Sequence, residues 1–149
     1  MQLIQSADVL RLTGLTSHQL REWCARRAIL LPDIPGGGRG RHALFSWQTV
    51  LALRLLRELH VRFGAEIGAW KEALEECRKL LNGRSFPALW TISVVFTDRR
   101  HAHLTDGRNI PEGALLLLPL EPHLQAIADG FALPSQAQFP LFRAMELRG

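Results

Sequence analysis

Arginine is the residue that stands out for chemistry in this sequence, and it is concentrated in one half. Residues 1–64 carry nine arginines (Arg11, Arg21, Arg26, Arg27, Arg39, Arg41, Arg54, Arg57 and Arg62) and no lysine, against the four carboxylates Asp8, Glu22, Asp33 and Glu58. Residues 85–149 carry five arginines against six carboxylates. The formal charge of +4 therefore belongs to the front of the chain. A guanidinium grips phosphate oxygens through a two-pronged fork and matches the edge of guanine in the same way. A front end made basic by arginine alone points to a polyanion, and among polyanions to nucleic acid.

Other chemistry is poorly provided for. Cys24 and Cys77 are too few for a disulfide framework or a four-cysteine zinc site, and both read as buried thiols, Cys24 beside Trp23 and Cys77 at the helical spacing of Ile67, Trp70, Leu74 and Leu81. His101 and His103 lie two apart on one face of a predicted strand, and would begin a zinc site only with a third ligand such as His123 or Asp106. They read instead as solvent-facing polar positions, so no metal and no cofactor is expected. No nucleophile motif, carboxylate pair or dinucleotide fingerprint is present, and Gly36-Gly37-Gly38 lacks the Lys-Ser/Thr of a phosphate-binding loop. An enzyme is not expected.

The elements that would carry the arginines can be read from caps and periodicity. Ser6 is placed to cap a two-turn helix that stops at Gly14, and Thr16 to cap a second from Ser17 to Ala28 with Leu20, Trp23 and Cys24 on one face. Two short helices on a glycine-containing turn form the helix-turn-helix pattern, which any helical hairpin also shares. Ile29 to Pro32 leaves as an extended apolar stretch. A glycine-rich loop from Pro35 to His42 follows, then Leu44-Phe45, which predicts a hairpin with a mobile, basic tip. Ser46 caps a broad apolar helix from Trp47 to His60, the expected core of the front part, with Arg54 and Arg57 on its remaining face. In the next helix, from Ala65 to Leu81, the residues Ile67, Trp70, Leu74, Cys77 and Leu81 form a seam at alternating spacings of three and four. Such a seam serves as a dimer interface or as an internal packing face.

Asn82 to Ser85 marks a boundary, after which the pattern becomes β-rich. Strands are predicted over Leu89 to Phe96, His101 to Leu104 and Gly113 to Leu118. A short helix is predicted from Glu121 to Asp129, stopping at Gly130, and a last turn from Leu141 to Leu147. No apolar run approaches the roughly 18 residues that cross a bilayer, and no secretory leader is evident, so a cytoplasmic protein is expected.

Taken in order, Ser6-Ala7-Asp8-Val9, Leu12-Thr13-Gly14-Leu15-Thr16, Leu20-Arg21-Glu22-Trp23, Ile29-Leu30-Leu31-Pro32, Gly40-Arg41-His42-Ala43-Leu44-Phe45-Ser46, Leu53-Arg54 and Arg57-Glu58-Leu59 resemble the DNA-binding domain of MerR-type transcription regulators. The likeness covers about residues 3–81, roughly half the chain. It implies a mainly α winged helix-turn-helix domain over residues 1–81; the change of pattern adds a linker at 82–88 and a small β-rich α+β module over 89–149, and the fold class expected for the whole is α+β. It implies DNA contacts by Thr16, Ser17, His18, Arg21, Trp23, Arg26 and Arg27 on the second helix, and by Arg39, Arg41 and His42 on the wing. It implies a homodimer on an inverted repeat of double-stranded DNA and a role in transcription regulation. Two departures stand out. Ala43 occupies a position where the family commonly keeps an arginine, and the chain turns to strands where the family has its long dimerisation helix. The seam from Ile67 to Leu81 is then the dimerisation candidate, and the C-terminal module offers a surface for a protein partner or a small ligand. The alternatives are an excisionase-like architectural protein on tandem sites, and an antitoxin or adaptor whose C-terminal module binds a protein.

Overall fold

The computed structural model describes residues 2–113 and 116–133. The turn expected at Leu141 to Leu147 lies outside the described residues. The fold is mixed α and β, with five helices and two small antiparallel sheets among these residues.

A two-residue strand, β1 (Ile4–Gln5), runs straight into α1 (Ser6–Thr13). Gln5, not Ser6, occupies the N-cap position, and it offers no side-chain cap. The reason is the sheet: Gln5 pairs with Leu44 and is already held extended, so the helix begins one residue earlier than Ser6 would allow as a cap. Gly14 ends α1 at φ +75°, its N–H donating to Leu10 O at 2.9 Å. Thr13 ties down the same turn, donating its hydroxyl to Val9 O at 2.7 Å and accepting from the Leu15 N–H at 3.2 Å.

The second helix starts where the sequence places it. Thr16 Oγ1 accepts from the Gln19 N–H at 3.1 Å, and Gln19 Oε1 accepts from the Thr16 N–H at 3.0 Å, a reciprocal capping box. The α-helical part, α2 (Ser17–Arg21), is short and passes into a wider π turn over Glu22–Arg26. A regular helix to Ala28 was expected. Instead the Arg27 N–H reaches back five residues to Glu22 O at 2.7 Å, and Ala28 turns out of the helix at φ +49°. The wide turn accompanies burial of the adjacent Trp23 and Cys24, both inside the core.

The glycine-rich segment closes as a hairpin. Ile34 and Leu44 exchange backbone hydrogen bonds at 3.1 and 2.9 Å, and the Gly37 N–H donates to Arg41 O at 3.3 Å. Leu44 belongs to β2 (Leu44–Phe45), which pairs with β1 on its other side. Two residues carry no readable period, which is why β1 is silent in the sequence. Asp33 fixes the hairpin base by accepting from the Ser46 N–H at 2.6 Å and the Ser46 hydroxyl at 2.9 Å. Ser46 in turn caps α3 (Trp47–Phe63), ten of whose residues are buried. This helix is the axis of the molecule.

Glu66 receives the N–H groups of Gly68 and Ala69 at 3.1 and 3.0 Å, starting a tight turn over Ile67–Trp70 that leads into α4 (Lys71–Asn82). The seam is an internal face. Ile67, Leu74, Cys77 and Leu81 are buried, and Trp70 sets its ring edge-on to Phe96 at 5.3 Å. Dimerisation through this seam is therefore corrected: α4 packs against α3 on one side and the C-terminal sheet on the other, so the apolar positions are already used.

That sheet holds β3 (Ser93–Phe96) between β4 (Ala102–Thr105) and β5 (Leu116–Pro119), both antiparallel to it. Val94 sits opposite Leu104 on one side and Leu118 on the other. Val94, Val95 and Phe96 are all buried, as a strand covered on both faces requires. The last helix, α5 (Glu121–Ala128), returns to pack on α3. One apolar cluster runs from Ile4 to Phe131 without a break. Even the connection at 82–88 contributes, since Phe86 is 3 % exposed and meets Trp47 edge-on at 5.3 Å. The other residues of that segment are exposed.

Candidate nucleic-acid interface

The capping box at Thr16 and the Asp33–Ser46 clasp fix two elements, α2 and the hairpin at 34–44, on the same core. Between them lies a cleft of about 590 Å³. Ser17, Arg21 and Ala25 line one wall, and Pro35, Gly36 and Ala43 line the other. Helix and hairpin therefore flank a single concave surface.

Of the sequence-derived residues, Ser17 and Arg21 line this cleft, whereas His18, Trp23 and Arg27 line a separate one of about 380 Å³. Ser17, His18 and Arg21 are exposed along α2, and Arg39, Arg41 and His42 are exposed at the hairpin tip. Thr16 is exposed as well, with its hydroxyl committed to the cap. Arg26 and Arg27 are exposed but engaged. Arg26 pairs with Glu22 at 2.9 Å, and Arg27 reaches Glu66 at 2.7 Å. The hydrogen bond from Arg27, followed by that from the Gly68 N–H, holds the Glu66 carboxyl below its usual range. Arg27 thus bridges the end of the second helix to the start of the fourth, and a phosphate would have to displace Glu66 to take it.

Trp23 is a correction. A place near a DNA backbone was expected, but the ring is 4 % exposed and stands edge-on to His60 at 5.7 Å. The π turn carries it into the core, where its area serves packing. Cys24 beside it is buried too, and burial pushes its thiol up to about 12. The same cause, with Glu76 adding to it, pushes Cys77 up to about 12. Neither thiol is a nucleophile under ordinary conditions.

Two arginines of α3 do work that their sequence positions did not reveal. The Arg57 guanidinium lies over the turn between α1 and α2, within 3.4 Å of where a side chain on Gly14 would begin. Arg54 donates to the Leu12 carbonyl at the end of α1 and, through Nε, to His123 Nδ1 at 3.2 Å. Burial, then Arg57, lowers the Arg54 pKa from its ordinary value. A cation on an apolar helix is the only signal the sequence gives, and it does not say which carbonyl it meets.

The histidines are apart from this surface. His101 is exposed and shares its Nδ1 with Asp98 at 3.0 Å, which raises its pKa through that hydrogen bond. His123 is buried against Arg54, so it does not join His101 and His103. Among the described residues no three His, Cys, Asp or Glu side chains are grouped to hold a metal, and no helix is long and apolar enough to cross a membrane.

No family model and no characterised protein matches this chain. Its function has to be argued from its own geometry.

Proposed function

We propose that the chain is a sequence-specific DNA-binding regulator of the MerR-like, winged helix-turn-helix kind. The single observation that carries the reading is the pairing of α2 with the hairpin across one concavity, with exposed basic groups along α2 and at the hairpin tip. In this reading α2 enters the major groove with Ser17, His18 and Arg21, and Arg21 addresses guanine. Arg39, Arg41 and His42 neutralise phosphates on the flanking backbone or in the minor groove. Regulation of transcription in the cytoplasm follows from that role by resemblance.

One short helix reads too few base pairs for specificity, so two copies on an inverted repeat are called for. A second reading is favoured by the burial of the Ile67–Leu81 seam, which removes the obvious dimer face. Here single chains line up on tandem sites, as an excisionase-like architectural protein does.

Selection of bound duplexes from a random pool at near-physiological salt tests both. Enrichment of an inverted repeat supports the dimeric regulator, and enrichment of direct repeats supports the tandem reading. A pool that stays random after repeated rounds sinks sequence-specific binding altogether.

A further inference from the structure

The cleft between α2 and the hairpin has walls that DNA binding does not account for. Phosphate and base edges call for polar and charged partners, yet the lining is built largely of Leu20, Cys24, Leu31, Pro35 and Phe45. Leu31 is half exposed at 51 %, an apolar side chain left at the mouth of the cleft. The volume of about 590 Å³ falls in the range of roughly 300–1,000 Å³ typical of small-molecule sites.

The rim carries one cation with nothing to neutralise it. Arg11 has Asp8 at 3.3 Å, Arg26 has Glu22 at 2.9 Å and Arg27 has Glu66 at 2.7 Å. Arg21, on the same pair of helices, has no ion-pair or hydrogen-bond partner among the described residues, and it lines the cleft. The hydroxyls of Ser6 and Ser17 stand on the same lining. Two other clefts differ in kind. One of about 800 Å³ lies along α4 and the β3–β4 turn, where Arg100 pairs with Glu72 at 3.8 Å. Another of about 380 Å³ contains the Arg27–Glu66 pair. Each of these two clefts holds an ion pair of its own, and no carboxylate among the described residues lines the α2–hairpin cleft.

We propose that the α2–hairpin cleft binds a small amphipathic organic anion, its apolar body against Leu20, Leu31 and Phe45 and its carboxylate on Arg21. An apolar slot rewards burial of a ring or short alkyl chain, and an unpaired guanidinium at its edge selects acids over neutral molecules of the same shape. Binding of the anion stands apart from the DNA-binding reading. Its consequence rests on that reading: an occupant holding Arg21 excludes a duplex that needs the same side chain, so the ligand acts as a releasing effector.

The test uses naphthoate and its uncharged analogue naphthamide, titrated into the isotope-labelled full-length chain and followed by heteronuclear NMR. Naphthoate is expected to shift the amide signals of Ser17, Arg21, Ala25 and Gly36, and to bind about tenfold more tightly than naphthamide. Arg21→Gln is expected to erase that preference, and Ala25→Glu, at an exposed position on the wall, to weaken the acid more than the amide. Thermal melting confirms that both variants are folded. Silence of the cleft signals at millimolar naphthoate overturns the proposal, as does equal affinity for acid and amide in the native chain. Duplex binding with a silent cleft removes the ligand site alone. Cleft shifts without any duplex binding keep the site and remove the DNA-binding reading.

Discussion

Arg54 on α3 donates through Nε to Nδ1 of His123 on α5 at 3.2 Å, and the same guanidinium holds the Leu12 carbonyl at the end of α1. One side chain therefore ties the helix pair at the front of the chain to the last helix described. Accepting from Arg54 requires Nδ1 to be unprotonated. Burial, then Arg54 and Arg62, depresses the His123 pKa to about 4. The folded state thus resists a proton that the unfolded chain accepts at its ordinary value of 6.5. Stability is full above that value and falls as pH drops towards 4, by on the order of 3 kcal/mol in total. Denaturant titrations across this window are expected to show the slope, and His123→Gln, which keeps an acceptor and cannot titrate, is expected to flatten it. His101 acts in the opposite direction. Its raised pKa gives a contribution present below its unfolded value and lost as pH rises through the folded one.

Arg21→Ala is expected to relax base preference at particular positions, costing about 1–3 kcal/mol of discrimination there. Replacing Arg39 and Arg41 together is expected to weaken all duplexes alike and to reduce the salt slope by about two. Fluorescence anisotropy on selected and scrambled duplexes separates the two patterns. A uniform loss from Arg21→Ala would remove its base-reading role.

Trp23→Ala is expected to act on the fold. Truncating a core aromatic costs about 3–5 kcal/mol, so chemical denaturation should register the loss. Intact stability combined with lost duplex affinity would return Trp23 to the DNA surface.

Residues 1–84 alone are not expected to fold. Removing the C-terminal sheet and α5 uncovers Leu74, Cys77 and Leu81 on α4 and strips α3 of a packing partner. Circular dichroism and solubility of the fragment check this, and a cooperative melt would show that the front part is autonomous.

Gly14→Ala is expected to destabilise by about 1 kcal/mol or more. The position needs φ +75°, and a Cβ there meets the Arg57 guanidinium at 3.4 Å. Because the turn also sets the angle of α2, duplex affinity should fall with stability, and a thermal melt read beside a binding curve reports both.

Local chemistry was legible in the residues themselves. Thr16, Ser46 and Gly14 act through neighbours three or four positions away, so their caps and stop could be read without a fold. The three C-terminal strands and α5 also lie close to where apolar runs and turn residues place them. The arginines of the hairpin tip were readable as exposed because glycine neighbours leave them no core to join.

Partnership across the chain was decided by tertiary structure. The seam from Ile67 to Leu81 has one spacing whether it meets a second chain or its own sheet, and only the return of β3 and β4 onto α4 makes it internal. Trp23 differs from Arg21 by two positions, and the π turn sends one inward and leaves the other at the cleft. Arg54 and Arg57 share a helix, yet one is bound between Leu12 and His123 while the other covers Gly14. Spacing fixes which residues share an element and a face. The contacts that face finds depend on elements tens of residues away, and those are brought to it only by burying the common core.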